Sequence, residues 1–319
     1  MCEFIHYKYK PKLLDYINYN IKLKNYLISL SNTYLSNLVL YGPSGTCKKT
    51  LLNCYLNKYF NNDNSIYNMN TFDYTLSNNY KIHYKSSSKH YQVSLLDNYK
   101  NNILIIHELV NYLINSRSIL NDDTIIILHN IHKLNNNTKL LKIIMEKYYN
   151  VKFLCSSLTR HNDLELAIQL RAEKLSEYEL LQIVIIINKK QNLNLSNDKM
   201  IYLSKNADNN INILLNSLQS IINNSDNTLL LLEDICNILK KKNIKDYPQI
   251  KQILNKILIF NSYDIYFIIN YIYNKIISLI KNKHEFIAYI SSLNDSNNNI
   301  VKNIIILDTY IFYIYKMLV

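Results

Sequence analysis

The stretch "SNLVLYGPSGTCKKTLLNCYLNKYF", Ser36 to Phe60, decides how the chain is read. Its apolar run Leu38–Tyr41 predicts a short buried strand. A Gly/Pro turn follows, then a helix with Leu51, Leu52 and Tyr55 on one face. The whole chain has Gly 2, and both, Gly42 and Gly45, stand in that turn. Strand, glycine turn and helix are the context that a phosphate-binding loop requires.

Such a loop works by pointing backbone N–H groups at phosphates from a helix N-terminus. A lysine adds charge, and a Ser/Thr hydroxyl holds Mg²⁺. The candidate nucleotide-binding residues are Gly42, Pro43, Ser44, Gly45, Thr46, Cys47, Lys48, Lys49 and Thr50. Gly42 and Lys48 match the pattern G-x-x-x-x-G-K-[ST], and Pro43 and Gly45 are in place between them. Cys47 replaces the last glycine, where the backbone can need positive φ. Lys49 replaces the hydroxyl and cannot ligate Mg²⁺, and Thr50 comes one position late.

Hydrolysis also needs carboxylates at the end of a second strand. "DDTIIILHNIHKL" predicts that strand at Thr124–Leu128, yet His129 and Asn130 follow it, and Asp122 and Asp123 lie at its other end. His129 and His132 read as surface or capping histidines, because no third metal ligand is near, and no metal site is expected. A third strand is predicted at Val151–Ser156, with helices at Ile105–Ile114 and Thr138–Tyr149 between. Strands alternating with helices predict an α/β unit with a parallel sheet.

After Arg171 the texture is helical. Ser176 and Glu179 form a capping-box pattern. Helices are expected at Ser196–Ser204, Ile211–Ile222, Thr228–Lys240, Pro248–Ile257, Tyr263–Ile280, His284–Leu293 and Val301–Val319. Asparagine patches at Asn135–Asn137 and Asn297–Asn299 read as loops.

Lys+Arg 36 against Asp+Glu 24 gives a net charge of +12, which favours an anionic partner. The Asn-, Ile-, Lys- and Tyr-rich composition reads as AT-rich codon drift, so the 29 tyrosines say little about base stacking. The five cysteines show no zinc spacing, which fits a reducing compartment. The first residues lack the apolar core of a signal peptide. The most apolar segments are interrupted by Asn, Lys or Asp and fall short of a bilayer span, so no membrane is expected.

With these residues in view, the chain resembles the small subunits of replication factor C, the AAA+ sliding-clamp loader. "YGPSGTCKKT" resembles the phosphate loop of the end subunit whose ATPase site is degenerate. "FIHYKYKPKLLDYI" is similar to the N-terminal W-V-x-K-Y-R-P motif. "IIMEKYYNVKFLCSS" resembles the R-T-M-E-K-Y segment and its sensor strand, and "LNSLQS" the end of a lid helix. "SSSKHYQVSLLDNYKNNILIIHELV" resembles that end subunit's insertion, and "KNIIILDTYIFYIYKML" its last helix.

The resemblance implies an α/β AAA+ P-loop domain over 1–172, an all-helical lid over 173–239 and an all-helical collar over 240–319. It implies ATP or ADP as ligand, held without hydrolysis, and leaves Mg²⁺ in question. Tyr9 and Pro11 would lie near the adenine. The two carboxylates fall on His129 and Asn130, the first sensor near Ser157 and the second on Asn212. The S-R-C motif falls on Leu170, Arg171 and Ala172, which makes Arg171 a trans-acting arginine finger, and the strand that usually follows it looks shortened at Glu173–Leu175. Lys139, Lys142 and Lys147 are the DNA-binding candidates. Implied partners are the other clamp-loader subunits of a hetero-pentamer, a sliding clamp and primer–template DNA, in a nucleus or a viral replication factory. Two alternatives stay open: an active stand-alone P-loop ATPase such as a helicase loader, and a scaffold subunit that binds no nucleotide.

Overall fold

A computed structural model describes residues 4–75, 81–95, 102–116, 124–222, 228–260, 265–280, 282–293 and 300–318. The chain divides into two units, Met1–Asn212 and Ile213–Val319.

In the first unit, short α1 (Ile5–Lys8) and α2 (Ile21–Ser31) precede β1 (Leu38–Tyr41) and α3 (Lys48–Tyr59). Then come β2 (Asn70–Thr75), β3 (Lys81–Ser86), β4 (His90–Ser94), α4 (Asn102–Ser116), β5 (Thr124–His129), α5 (Thr138–Lys147), β6 (Val151–Ser157) and β7 (Ile168–Arg171). Helices α6 (Glu177–Gln191) and α7 (Asn197–Lys205) follow, and α8 (Ile211–Ile222) begins as the unit ends.

The seven strands form one sheet in the order β2-β3-β4-β5-β6-β1-β7. Strands β4, β5, β6, β1 and β7 run parallel, and β3 and β2 add antiparallel at one edge. The mostly parallel α/β class expected from the strand–helix alternation is therefore the one observed. Every residue of β5 is buried, which explains its unbroken Ile/Leu run. Ile126, Leu128, Phe153, Val39 and Leu141 share one core with α4 residues.

Strands β1, β5 and β6 lie where the apolar runs predict them. The β2–β3–β4 meander was not read, because "NTFDYT" and "KIHYKS" are polar and β2 is almost wholly exposed. The segment read only as an insertion, Ser86 to Val110, contributes strand β4 to the sheet and most of α4. No strand occupies Glu173–Leu175: the edge strand comes earlier and ends at Arg171. Asn135–Asn137, expected as a loop, ends a 3-10 helix that starts at Ile131. Asp122, Asp123 and Asn297–Asn299 lie outside the described residues.

Helix α6 starts with the expected capping box, Ser176 Oγ accepting from the Glu179 N–H while the Glu179 carboxylate accepts from the Ser176 N–H at 2.7 Å. The same carboxylate accepts from the Asn20 N–H at 2.8 Å.

The second unit continues α8 and adds α9 (Thr228–Lys240), α10 (Tyr247–Phe260), α11 (Ile265–Ile276), α12 (Lys283–Leu293) and α13 (Ile300–Leu318). Among the described residues it has no strand. Its centre is aromatic: Phe286 stacks on Tyr310 and Tyr313, and the Tyr310 hydroxyl donates to Ile269 O at 3.1 Å. Among the described residues no helix is long and apolar enough to cross a membrane.

Candidate functional site

In open parallel sheets, ligands bind in the crevice outside the carboxyl ends of the strands. The loop Gly42–Cys47 leaves β1 at that end, between β6 and β7. Gly42 donates its N–H to Ser157 O on β6 at 3.2 Å, and Ala172 donates to Tyr41 O at 2.7 Å. Gly42 has φ +146°, and a Cβ there would stand 2.2 Å from Ala172 O. Gly45 has φ +73°, and its Cβ would stand 2.0 Å from Asn210 Oδ1. Gly42 is thus required by close approach to backbone as well as by conformation, whereas at Gly45 the positive φ is the firmer constraint, because the neighbour is a side chain.

Cys47 caps α3 in the left-handed region, φ 60° and ψ 22°. It adopts the backbone that the missing glycine would supply, at the strain cost of a side chain. Its thiol is hydrogen-bonded to buried Tyr19, and burial pushes it up to about 11. Thr46 is fully buried and donates from Oγ1 to Pro43 O at 3.0 Å.

Lys48 folds back over the loop. Its ammonium donates to Gly42 O at 2.7 Å, to Pro43 O and to Thr46 Oγ1 at 3.2 Å. Burial lowers it to about 8, with Cys47 opposing and Lys49 adding to the shift. At neutral pH the ammonium is still charged and lies within the loop.

The end of β5 is uncharged. His129 is buried, with Nδ1 3.0 Å from Ser156 Oγ on β6 and Nε2 bonded to the Gln92 amide nitrogen on β4. The Gln92 amide donates to Nε2, so Nδ1 carries the proton and donates to Ser156. Burial, then the charges of Lys49, Lys10, His90 and Lys85, hold the imidazole well below its usual range, so it stays neutral. His129 is therefore neither the surface nor the capping histidine expected from the sequence. His132 is half-buried and accepts from the Leu158 N–H at 3.3 Å. Asn130 has φ 63° and donates from Nδ2 to Leu95 O at 3.5 Å.

The remaining sequence candidates fall in several places. Pro11 O accepts from Cys54 Sγ at 3.2 Å, and Lys12 O accepts from Asn57 and Tyr67, which clamps this segment onto α3. Tyr9 is held instead at the end of α6, where its hydroxyl bonds the Gln191 amide and the Lys190 ammonium lies 5.6 Å from its ring. Ser157 Oγ is bound to His161 Nε2 at 2.7 Å and is turned to structural use. Asn212 is exposed in the first turn of α8. Arg171 is exposed at the end of edge strand β7, opposite Tyr41 in register. Ser44, Lys49 and Lys139 are exposed and Thr50 is half-buried. On α5, Lys142 lies 3.4 Å from Glu165, Lys147 covers Tyr148, and Glu146 shares the exposed face.

Sequence reasoning missed a group of cations around the loop. Lys10, Lys133 and Lys85 all act on the Lys49 ammonium and, after burial, lower it. Lys85 is opposite Gln92 in register, so it shares a sheet face with the Gln92–His129–Ser156 chain. Only strand pairing brings these residues together, and a polar edge strand carries no sequence signal for it. A divalent cation such as Mg²⁺ needs oxygen ligands, usually carboxylates. Lys49, His129 and Asn130, the positions to which the resemblance assigns those ligands, supply no carboxylate, and the set does not fit the ion. Among the described residues there is no cluster of three or more His, Cys, Asp or Glu side chains able to hold a metal.

No protein-family model matches the chain. Replication factor C subunit 5 of Saccharomyces cerevisiae is 33% identical over 107 residues, covering 32% of this chain and 30% of that protein. The match thus spans less than a third of the relative's length. Among solved structures, the Thermotoga maritima RuvB Holliday junction branch migration motor aligns with a TM-score of 0.44 at 13% identity, over 90% of this chain and 79% of that one. A point variant of Thermotoga maritima RuvB aligns with a TM-score of 0.46 at 13% identity, over 97% and 89%.

Proposed function

We propose that this chain is a AAA+ subunit of a clamp loader, one that holds a nucleotide without hydrolysing it. One observation carries the reading. A phosphate loop with its two glycines and Lys48 in place stands beside a β5 end where neutral His129 and Asn130 replace both carboxylates. The similarity to replication factor C subunit 5 supports the family.

The backbone of Gly42–Lys48 and the Lys48 ammonium would bind the phosphates of ATP or ADP. To do so Lys48 must exchange its loop carbonyls for phosphate oxygens. Nothing at the end of β5 can take a proton from water, because the His129 imidazole is closed on both nitrogens. The nucleotide would then serve as a structural ligand.

On this reading 173–239 forms the lid and 240–319 the collar that joins the sibling subunits of a hetero-pentamer. That assembly would load a sliding clamp onto primer–template DNA, in a nucleus or a viral replication factory. Arg171 would act in trans on a neighbour's phosphate, supported by its exposure at the sheet edge. Lys139, Lys142 and Lys147 would touch DNA phosphates, blind to sequence.

Purified chain is expected to bind ADP and to show no ATP turnover above a Lys48→Ala control. Turnover that vanishes in that variant would sink the reading. A second reading, a scaffold that binds no nucleotide, has the Lys48 contacts to Gly42 and Pro43 in its favour. Absence of ADP binding at millimolar concentration would select it.

A further inference from the structure

We propose that the loop takes a nucleotide polyphosphate free of any divalent cation, with Lys49, Lys85 and Lys10 supplying the positive charge that a metal ion supplies elsewhere. The inference rests on the nucleotide-holding reading above and narrows it to the unchelated ligand.

Three observations carry it. First, the positions where the family resemblance puts metal ligands offer no carboxylate or hydroxyl. Lys49 offers an ammonium in the first turn of α3, and both His129 nitrogens are already bonded within the protein. Second, the cations converge from three separate parts of the chain. Lys49 comes from α3, Lys85 from β3 across the sheet, and Lys10 from the N-terminal segment that Cys54 and Asn57 clamp to α3. Third, no acidic side chain among the described residues neutralises them. Among the described residues, no carboxylate lies within ion-pair distance of Lys10, Lys49 or Lys85. None acts through space on Lys10, Lys49 or His129 either.

Like charges held together without counter-ions repel, and a polyphosphate relieves that repulsion. A metal-chelated nucleotide carries less negative charge and brings its own cation toward these ammonium groups. It should therefore bind less well than the free anion, the reverse of an ordinary phosphate loop.

The test is calorimetric titration of the full chain with ADP and with ATP, in EDTA and in excess Mg²⁺. Tighter binding in EDTA is expected. Lys49→Thr, which restores the missing hydroxyl, should weaken binding in EDTA by about ten- to a hundredfold, with no recovery in Mg²⁺. Lys85→Ala should weaken it in the same direction, whereas Lys49→Arg, which keeps the charge, and Lys22→Ala on α2 should not. Circular dichroism of each variant separates loss of binding from loss of fold. Binding that is equal or tighter in Mg²⁺ would overturn the metal-free inference and leave the nucleotide reading standing. No binding in either buffer would overturn both.

Discussion

Gly42 and Ala172 meet backbone to backbone: a Cβ on Gly42 would lie 2.2 Å from the Ala172 carbonyl oxygen. The start of the phosphate loop is therefore set by the residue that follows β7, 130 positions away in the chain. Gly42→Ala should cost roughly 2–4 kcal/mol, combining a positive φ with a clash that no rotamer relieves. Gly45→Ala meets only the Asn210 side chain, so Gly45→Ala with Asn210→Gly should lose less than Gly42→Ala. Urea denaturation of the variants measures the difference, and equal losses would contradict it.

His129 is a structural residue on this geometry. Its removal as His129→Ala leaves Ser156 Oγ and the Gln92 amide without their buried partner, at about 1–3 kcal/mol by the same denaturation assay. Restoring acids as His129→Asp with Asn130→Glu should still give no ATP turnover, because Lys49 remains where the metal's hydroxyl ligand belongs. Turnover in that double variant would show that the carboxylates alone were missing.

Nucleotide affinity should fall as pH rises above about 8, the value to which burial lowers Lys48. The sign follows from linkage. The phosphates bind the protonated lysine, so binding takes up a proton once the free protein has lost it. Affinity then drops about tenfold for each pH unit. Lys48→Arg, charged throughout this range, should give a shallower profile between pH 7 and 10, since Lys49 and Lys10 still titrate there. A wild-type profile as shallow as that of Lys48→Arg would remove Lys48 from the phosphates.

Arg171→Ala should leave ADP binding by the isolated chain unchanged and lower ATP turnover of a reconstituted clamp loader by on the order of a thousandfold. The opposite pattern would make Arg171 a ligand of its own loop, which its register opposite Tyr41 also allows.

Much of the frame was legible in the sequence. The apolar runs at Leu38, Thr124 and Val151 marked buried strands because β5, β6 and most of β1 have no exposed face. The Ser176–Glu179 box marked the start of α6 because both partners lie within one helical turn. Strands β2 and β3 escaped because an exposed, polar meander has no hydrophobic period to read. His129 was misread as a surface residue because nothing local to it reveals Gln92 and Ser156, which reach it from two other strands.

The sequence by itself determined the strand, glycine turn and helix from Leu38 to Tyr59, the residue types at Cys47, Lys49, His129 and Asn130, and the helical second half. These follow from residue type and short-range spacing. The tertiary structure decided that Cys47 holds the left-handed turn, that Lys48 lies on the loop carbonyls, and that Lys10 and Lys85 come close enough to act on Lys49. Those relations depend on strand register and on segments brought together only when the sheet assembles.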